Sequence, residues 1–115
     1  MSDRIDVLTE AIIDFAERRN WRQHHTPKNL VMALSVEVGE LMEHFMWLDG
    51  RCSVPPPLRD DVRAEIGDVM IYLCNLAATL DIDLVEAAQE KLAEAERRYP
   101  VTPSSGEFGS MLSKS

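Results

Sequence analysis

The stretch EVGELMEHFMW (37–47), answered after a proline-rich break by EIGDVMIYL (65–73), decides how this chain is read. Glu37 and Glu40 stand three residues apart in the first stretch, and Glu65 and Asp68 three apart in the second. Residues at that spacing share one face of an α-helix. Each acid also directly precedes a member of an apolar stripe: Val38, Leu41, Ile66 and Val69. The matching offset puts both pairs on the same flank of a helical core, so antiparallel packing brings four carboxylates to one cleft. Convergent anions repel, the more so as water is withdrawn. Protons or bound cations relieve them. Mg²⁺ takes oxygen ligands, keeps several waters and shares its sites with phosphate oxygens. It therefore suits a carboxylate set better than zinc does. The same pattern also fits two solvated helix faces, the ordinary fate of a single E-x-x-E pair.

Outward from these stretches the apolar spacing stays helical. Ile5, Leu8, Ile12 and Phe15 mark a first helix over about residues 3–20, and NWRQHHT (20–26) reads as a connection. Thr26 followed by Pro27 is a helix start, with Thr26 as N-cap and proline at the first helical position. The second helix is expected to run to about Leu48 on the stripe Leu30, Leu34, Val38, Leu41 and Phe45. Gly39 within it costs about 1 kcal/mol relative to alanine, and is there either for a close approach or because it is tolerated. Asp49-Gly50 ends the helix, and RCSVPPP (51–57) is expected to be a loop, because its prolines lack N–H groups. A third helix is expected from about Leu58, with Asp60 and Asp61 at its positive N-terminal end, on the stripe Val62, Ile66, Val69, Leu73, Ala77 and Leu80. Asp83 with Glu86 opens a fourth over about 84–98, and Pro100 stops it. Residues 101–115 carry no periodicity and are expected to form a disordered tail. No repeat and no strand pattern is present. The expectation is one all-α domain over residues 1–100, an antiparallel four-helix bundle.

The 115 residues make a modest core that self-association would reinforce. The formal net charge of −8 argues against polymeric nucleic acid as partner, since that binding needs a basic face. No apolar run approaches membrane-spanning length, and the N-terminal MSDRIDVLTE lacks a signal-peptide core. A cytoplasmic location is the default expectation. Cys52 and Cys74 suggest neither a disulfide framework nor a zinc motif; Cys74, within IYLCNLAA, reads as core.

The polar flank of the third helix continues past Asp68 to Tyr72 and Asn75, and the second continues past Glu40 to His44 and Trp47. Trp47, Tyr72 and Trp21 are able to stack on a base and Asn75 to bond its edge; core packing is the plainer role for the aromatics, and a surface position for His44. Lys28 opens the second helix, and Arg97 and Arg98 close the fourth. Helix-end electrostatics accounts for Arg97 and Arg98, and contact with phosphate is the sharper alternative.

The paired acids, with 24 residues between them, resemble the E-x-x-E…E-x-x-D signature of MazG-like nucleotide pyrophosphohydrolases. FAERRNWRQHHTPKNLVMAL (15–34) and RRYP (97–100) are similar to the dCTP pyrophosphatase branch of that family. The likeness covers about residues 5–100. It implies an all-α subunit working as a homo-oligomer, either a dimer or a dimer of dimers. It implies Mg²⁺ at Glu37, Glu40, Glu65 and Asp68, and hydrolysis of a nucleoside triphosphate between its α and β phosphates, releasing pyrophosphate. It implies a base pocket at the matching Trp21, His25, Trp47 and Tyr72, substrate binding by Lys28 and Asn29 in the matching context after Pro27, and phosphate contacts near Arg97 and Arg98, across a subunit boundary. A water oriented or deprotonated by Glu37 or Glu40 would attack the α-phosphorus. The expected role is removal of unwanted deoxynucleotides, with dCTP or a modified dCTP as substrate. Two rivals remain: a non-catalytic helical interaction module, and a relative acting on another pyrophosphate such as phosphoribosyl-ATP.

Overall fold

The computed structural model describes residues 3–50 and 53–101. Among these the secondary structure is helical throughout: α1 (Asp3–Arg18), a 3₁₀ turn (Arg22–His24), α2 (Pro27–Glu43), α3 (Pro56–Thr79) and α4 (Leu84–Arg98). No strand occurs among the described residues. The chain divides into two compact units, Met1–Ile82 and a second that begins at Asp83 and contains α4. In the first unit α2 and α3 form the principal pair, and α1 also packs on α3. Residues 102–115 of the expected tail, and Cys52, lie outside the described residues.

Both helix starts read from side-chain caps are present. Thr26 accepts from the Asn29 amide at 3.2 Å and Asp83 from the Glu86 amide at 2.9 Å. Three expected boundaries shift. Pro56 and Pro57, expected in a loop, are the first two residues of α3. The first helical turn has no intrahelical partner for its N–H groups, so two prolines there forfeit nothing. The second helix ends at Glu43, not Leu48. Beyond it Phe45 bonds Met42 and Leu48 bonds Phe45, each three residues back. That tighter winding turns the chain toward α3. The first helix ends at Arg18, not Asn20, because Asn20 takes a left-handed φ of 58°.

Two exits use one device. After α1, the Trp21 amide bonds the Ala16 carbonyl at 2.9 Å and the Asn20 amide bonds Glu17 at 3.0 Å. After α3, Ile82 bonds Ala77 at 2.8 Å and Asp81 bonds Ala78 at 3.1 Å, with Asp81 at φ 55°. Both are Schellman closures, in which a left-handed residue lets two amides reach back to orphan carbonyls. Gly39 has no atom within 4 Å of where a Cβ would stand, so nothing within the chain needs its small size.

Ala16, Leu30, Cys74 and Ala77 form the fully buried apolar core among the described residues. Meanwhile Val31, Val38, Met42, Phe45, Ile66 and Ile71 are exposed. Much of the stripe read from sequence as core, Val38, Phe45 and Ile66 in particular, is therefore open on the isolated chain.

The left-handed Asp81 generates a test. Asp81→Gly removes the Cβ clash and raises stability by about 0.5–1 kcal/mol, whereas Asp81→Val lowers it by about 1–2 kcal/mol; urea unfolding followed by circular dichroism measures both.

Candidate active site

The α2–α3 pairing brings the acids together. Carboxylate oxygens of Glu37, Glu65 and Asp68 lie within 4.8 Å of one another. His44, which caps α2, approaches Glu65 at 3.9 Å, while Glu37 faces Asp68. Later residues of α2 thus meet earlier residues of α3, the antiparallel sense expected. Glu40 is exposed and stands outside that trio, but it hydrogen-bonds the Glu37 side chain.

Two oxygens of this cluster are hidden from solvent yet have no hydrogen-bond partner among the described residues: Glu37 Oε2 and Glu65 Oε2. A buried carboxylate oxygen without a donor costs several kcal/mol if charged. The strain is borne mainly by Glu37, whose pKa is raised from 4.5 to about 7. Burial is the leading cause, then the hydrogen bond and charge of Glu40, then the charges of Asp68 and Glu65. A divalent cation fits this set. The donors are all hard oxygens, and none is farther than 4.8 Å from another, against roughly 4.2 Å across a Mg²⁺ coordination shell. The two orphaned oxygens are acceptors awaiting a positive charge.

Further along α3 the same face carries Tyr72, Asn75 and Thr79, at alternating three- and four-residue steps from Asp68. Tyr72 is half-buried. Asn75 is only 2% exposed. Its Oδ1 accepts from Arg22 Nη1 at 2.8 Å, and its Nδ2 lies 3.1 Å from His25 Nδ1. Thr79 Oγ1 donates to the Asn75 carbonyl at 2.8 Å and lies 3.5 Å from Arg22 Nη1. The Asn75 amide, expected to be free for a base edge, is committed to this network. Burial, then the nearby Arg22 and His24, hold the His25 pKa below its usual value.

The other expected residues are placed as follows. Trp21 is half exposed and meets Phe15 edge-on at 5.7 Å. Trp47 lies past the end of α2 and is 88% exposed. Lys28 is exposed in the first turn of α2, and the Asn29 side chain donates to the His24 carbonyl at 2.9 Å, tying α2 to the 3₁₀ turn. Arg97 and Arg98 end α4 in the second unit, where Arg98 pairs with Glu94 at 3.6 Å. Sequence reasoning missed Arg22 by treating NWRQHHT as a mere connection. The polar positions 72, 75 and 79 on a packed face were the signal that something polar must meet them. An open recess of about 520 Å³ lined by Glu17, Asn20, Arg22 and Gln23 includes none of the four acids.

The α2–α3 pair thus gathers carboxylates that could hold a divalent cation, and comparison with known proteins gives the family. Residues 25–102 match the MazG nucleotide pyrophosphohydrolase domain; the chain belongs to that family. It is 43% identical over 97 residues to dCTP pyrophosphatase 1 of Mus musculus, covering 81% of this chain and 57% of that one. It is 44% identical over 91 residues to dCTP pyrophosphatase 1 of Homo sapiens, covering 76% of this chain and 54% of that one. The chain thus spans little more than half the length of these relatives. A crystal structure of a pyrophosphatase from Archaeoglobus fulgidus superposes with a TM-score of 0.78 at 34% identity, covering 87% of this chain and 95% of that one.

The raised Glu37 pKa has a definite sign. Between pH 4.5 and about 7 the folded chain holds a proton that the unfolded chain has released, so stability falls as pH rises through that window. Glu37→Gln keeps a donor toward Glu40 without the charge. In chelator, the parent should lose thermal stability from pH 5 to 8 and the variant should lose less, as read by differential scanning calorimetry.

Proposed function

We propose that this chain hydrolyses a nucleoside triphosphate, with dCTP or a modified dCTP preferred, to the monophosphate and pyrophosphate in the presence of Mg²⁺. The observation that carries this reading is the carboxylate trio of Glu37, Glu65 and Asp68 with its two hidden, unpartnered oxygens. Such a cluster is hard to account for as a solvated surface. The relatives' names, dCTP pyrophosphatase 1, support the substrate.

In this reading Glu37, Glu65 and Asp68, with Glu40 at their edge, hold the metal. The bound ion would supply charge neutralisation for the triphosphate and acidify a water. Glu40, exposed and bonded to Glu37, is the base that orients the attacking water toward the α-phosphorus. Glu65 is held on its other side by His44. The antiparallel α2–α3 pair fixes these groups before the substrate arrives, so catalysis comes from positioning and electrostatics. Trp47 and Tyr72 stack on the base, and Trp21 and His25 complete its pocket. Lys28 meets the phosphates, and Arg97 and Arg98, which end α4, supply phosphate contacts across a subunit boundary. The chain acts as a dimer or dimer of dimers, a reading supported by the open Val38, Phe45, Ile66 and Ile71 side chains.

A pyrophosphate-release assay across nucleoside triphosphates, with and without Mg²⁺, tests the activity. Release should require Mg²⁺ and be fastest with dCTP. Glu37→Gln and Asp68→Asn should each lower kcat by about 10²-fold or more, and Trp47→Ala should mainly raise KM. Full activity in all four acid-to-amide variants would instead assign the acids to an interaction surface. Sedimentation velocity checks the assembly: a species of at least twice the 13.0 kDa chain mass is expected.

A further inference from the structure

The network around Asn75 carries a consequence for recognition, resting on the reading above that His25 lines the base pocket. We propose that Arg22 and Asn75 together lock His25 in its Nε2–H tautomer, so that the imidazole offers a donor and selects nucleobases presenting an acceptor at the ring position where cytosine has N3.

The assignment follows from a chain of donors. A guanidinium donates and never accepts. Arg22 Nη1 stands 2.8 Å from one terminal atom of the Asn75 amide, so that atom is the oxygen. Thr79 spends its hydroxyl proton on the Asn75 carbonyl at 2.8 Å, leaving its oxygen as a second acceptor for Arg22 at 3.5 Å. The other end of the Asn75 amide, 3.1 Å from His25 Nδ1, must then be nitrogen, which only donates. Nδ1 therefore carries a lone pair. A neutral imidazole has one proton, and it resides on Nε2.

Reversing this order is costly because Asn75 is 2% exposed and no solvent rescues a mismatch there. A flipped amide sets N–H against guanidinium N–H. A protonated Nδ1 sets N–H against the amide N–H. Buried polar groups facing a like group forfeit their hydrogen bonds with no water to replace them. The surroundings agree: Arg22 and His24 are the charged or titratable neighbours acting on His25, both disfavour a cationic ring, and α3 contributes the neutral Asn75. Uracil and thymine place a donor at N3 where cytosine has an acceptor. An Nε2–H donor therefore distinguishes them, while the Nδ1–H tautomer would reverse the preference. Asn75 and Arg22 act here as positioning residues through His25.

Long-range ¹H–¹⁵N NMR of the full chain between pH 6 and 9, with His25 assigned from a His25→Gln spectrum, reads the tautomer directly. The parent should show a pyridine-type Nδ1 and a pyrrole-type Nε2. Asn75→Asp places a carboxylate between Arg22 and His25, and the proton should move to Nδ1. Arg22→Met, at a half-buried position, frees the amide and should yield both tautomers with helical circular dichroism retained. In pyrophosphate release, Asn75→Asp should raise KM for dCTP about tenfold, with kcat changed less than about twofold. A parent Nδ1–H signal, or tautomers unmoved in both variants, overturns the proposal whether or not the chain is active. An unmoved KM in Asn75→Asp, with the tautomer shifted, overturns the recognition step. A chain with the expected tautomers and no pyrophosphate release overturns the hydrolase reading alone.

Discussion

The structure depends on an unfavourable contact held in place by favourable ones: carboxylates of α2 and α3 pressed into one another's field. Carboxylate oxygens of Glu37, Glu65 and Asp68 lie within 4.8 Å of one another, and two of these residues' oxygens are hidden from solvent with no donor among the described residues. At such a range even an effective dielectric of 20 leaves several kcal/mol of repulsion between two full charges. The apolar side of the same helices supplies the compensation. Leu30, Cys74 and Ala77 bury fully between the packed elements, and they fix the rotation of α2 against α3. The acids precede stripe residues in both helices, so the packing that buries the stripes also drives the acids together. The same geometry that packs the core raises the Glu37 pKa and leaves a charge that a bound cation would relieve.

The second constraint is where α1 stops. Arg22 and His25 reach Asn75 because the chain leaves α1 through a left-handed Asn20 and enters a single 3₁₀ turn. The Asn29 side chain then fastens that turn to the start of α2 through the His24 carbonyl. Three short-range devices, the Schellman closure, the 3₁₀ turn and the Thr26 cap, therefore aim side chains at a residue some fifty positions away. Lengthening α1 by even one residue would rotate Arg22 by about 100° about the helix axis and empty the network. This explains why so polar a segment is ordered: its side chains are spent on α3 and on neighbouring carbonyls.

The helices were legible in the sequence wherever the signal was periodic or capped. The stripe through Leu30 and Leu34, the Thr26-Pro27 start and the Asp83 start each have a local physical cause, and each stands. Helix ends were less legible. Pro56 and Pro57 read as breakers because proline's prohibition applies to helix interiors, and the first turn escapes it. Phe45 and Trp47 continued the helical rhythm past Glu43, but winding at the α2 exit is set by the turn toward α3. The acid pairs were legible as a cluster because their offset from the stripes is the same in both helices. The Arg22–Asn75–His25 network was not, since no local pattern shows which loop residue a buried asparagine will meet. Val38, Phe45 and Ile66 show the converse limit: periodicity identifies a face to be covered without saying whether the cover comes from the same chain.

α3 acts as a ruler between the two polar centres. Seven residues separate Asp68 from Asn75, which at 1.5 Å per residue is about 10 Å along the axis. One end of that face gathers negative charge and suits a metal; the other sets the Arg22 guanidinium against the buried Asn75 amide and is built of hydrogen-bonding side chains. A compact anion such as inorganic phosphate would engage the first end and leave the second idle. A ligand that uses both must be elongated, with its charge concentrated at one end and a planar hydrogen-bonding group at the other, which is the chemical outline of a nucleotide. Tyr72, half-buried between the two centres on the same face, places an aromatic surface along that path. The net charge of −8 works in the same direction: an acidic chain repels a free polyphosphate, so only a ligand arriving with cations and anchored at its uncharged end gains from the whole length of the face.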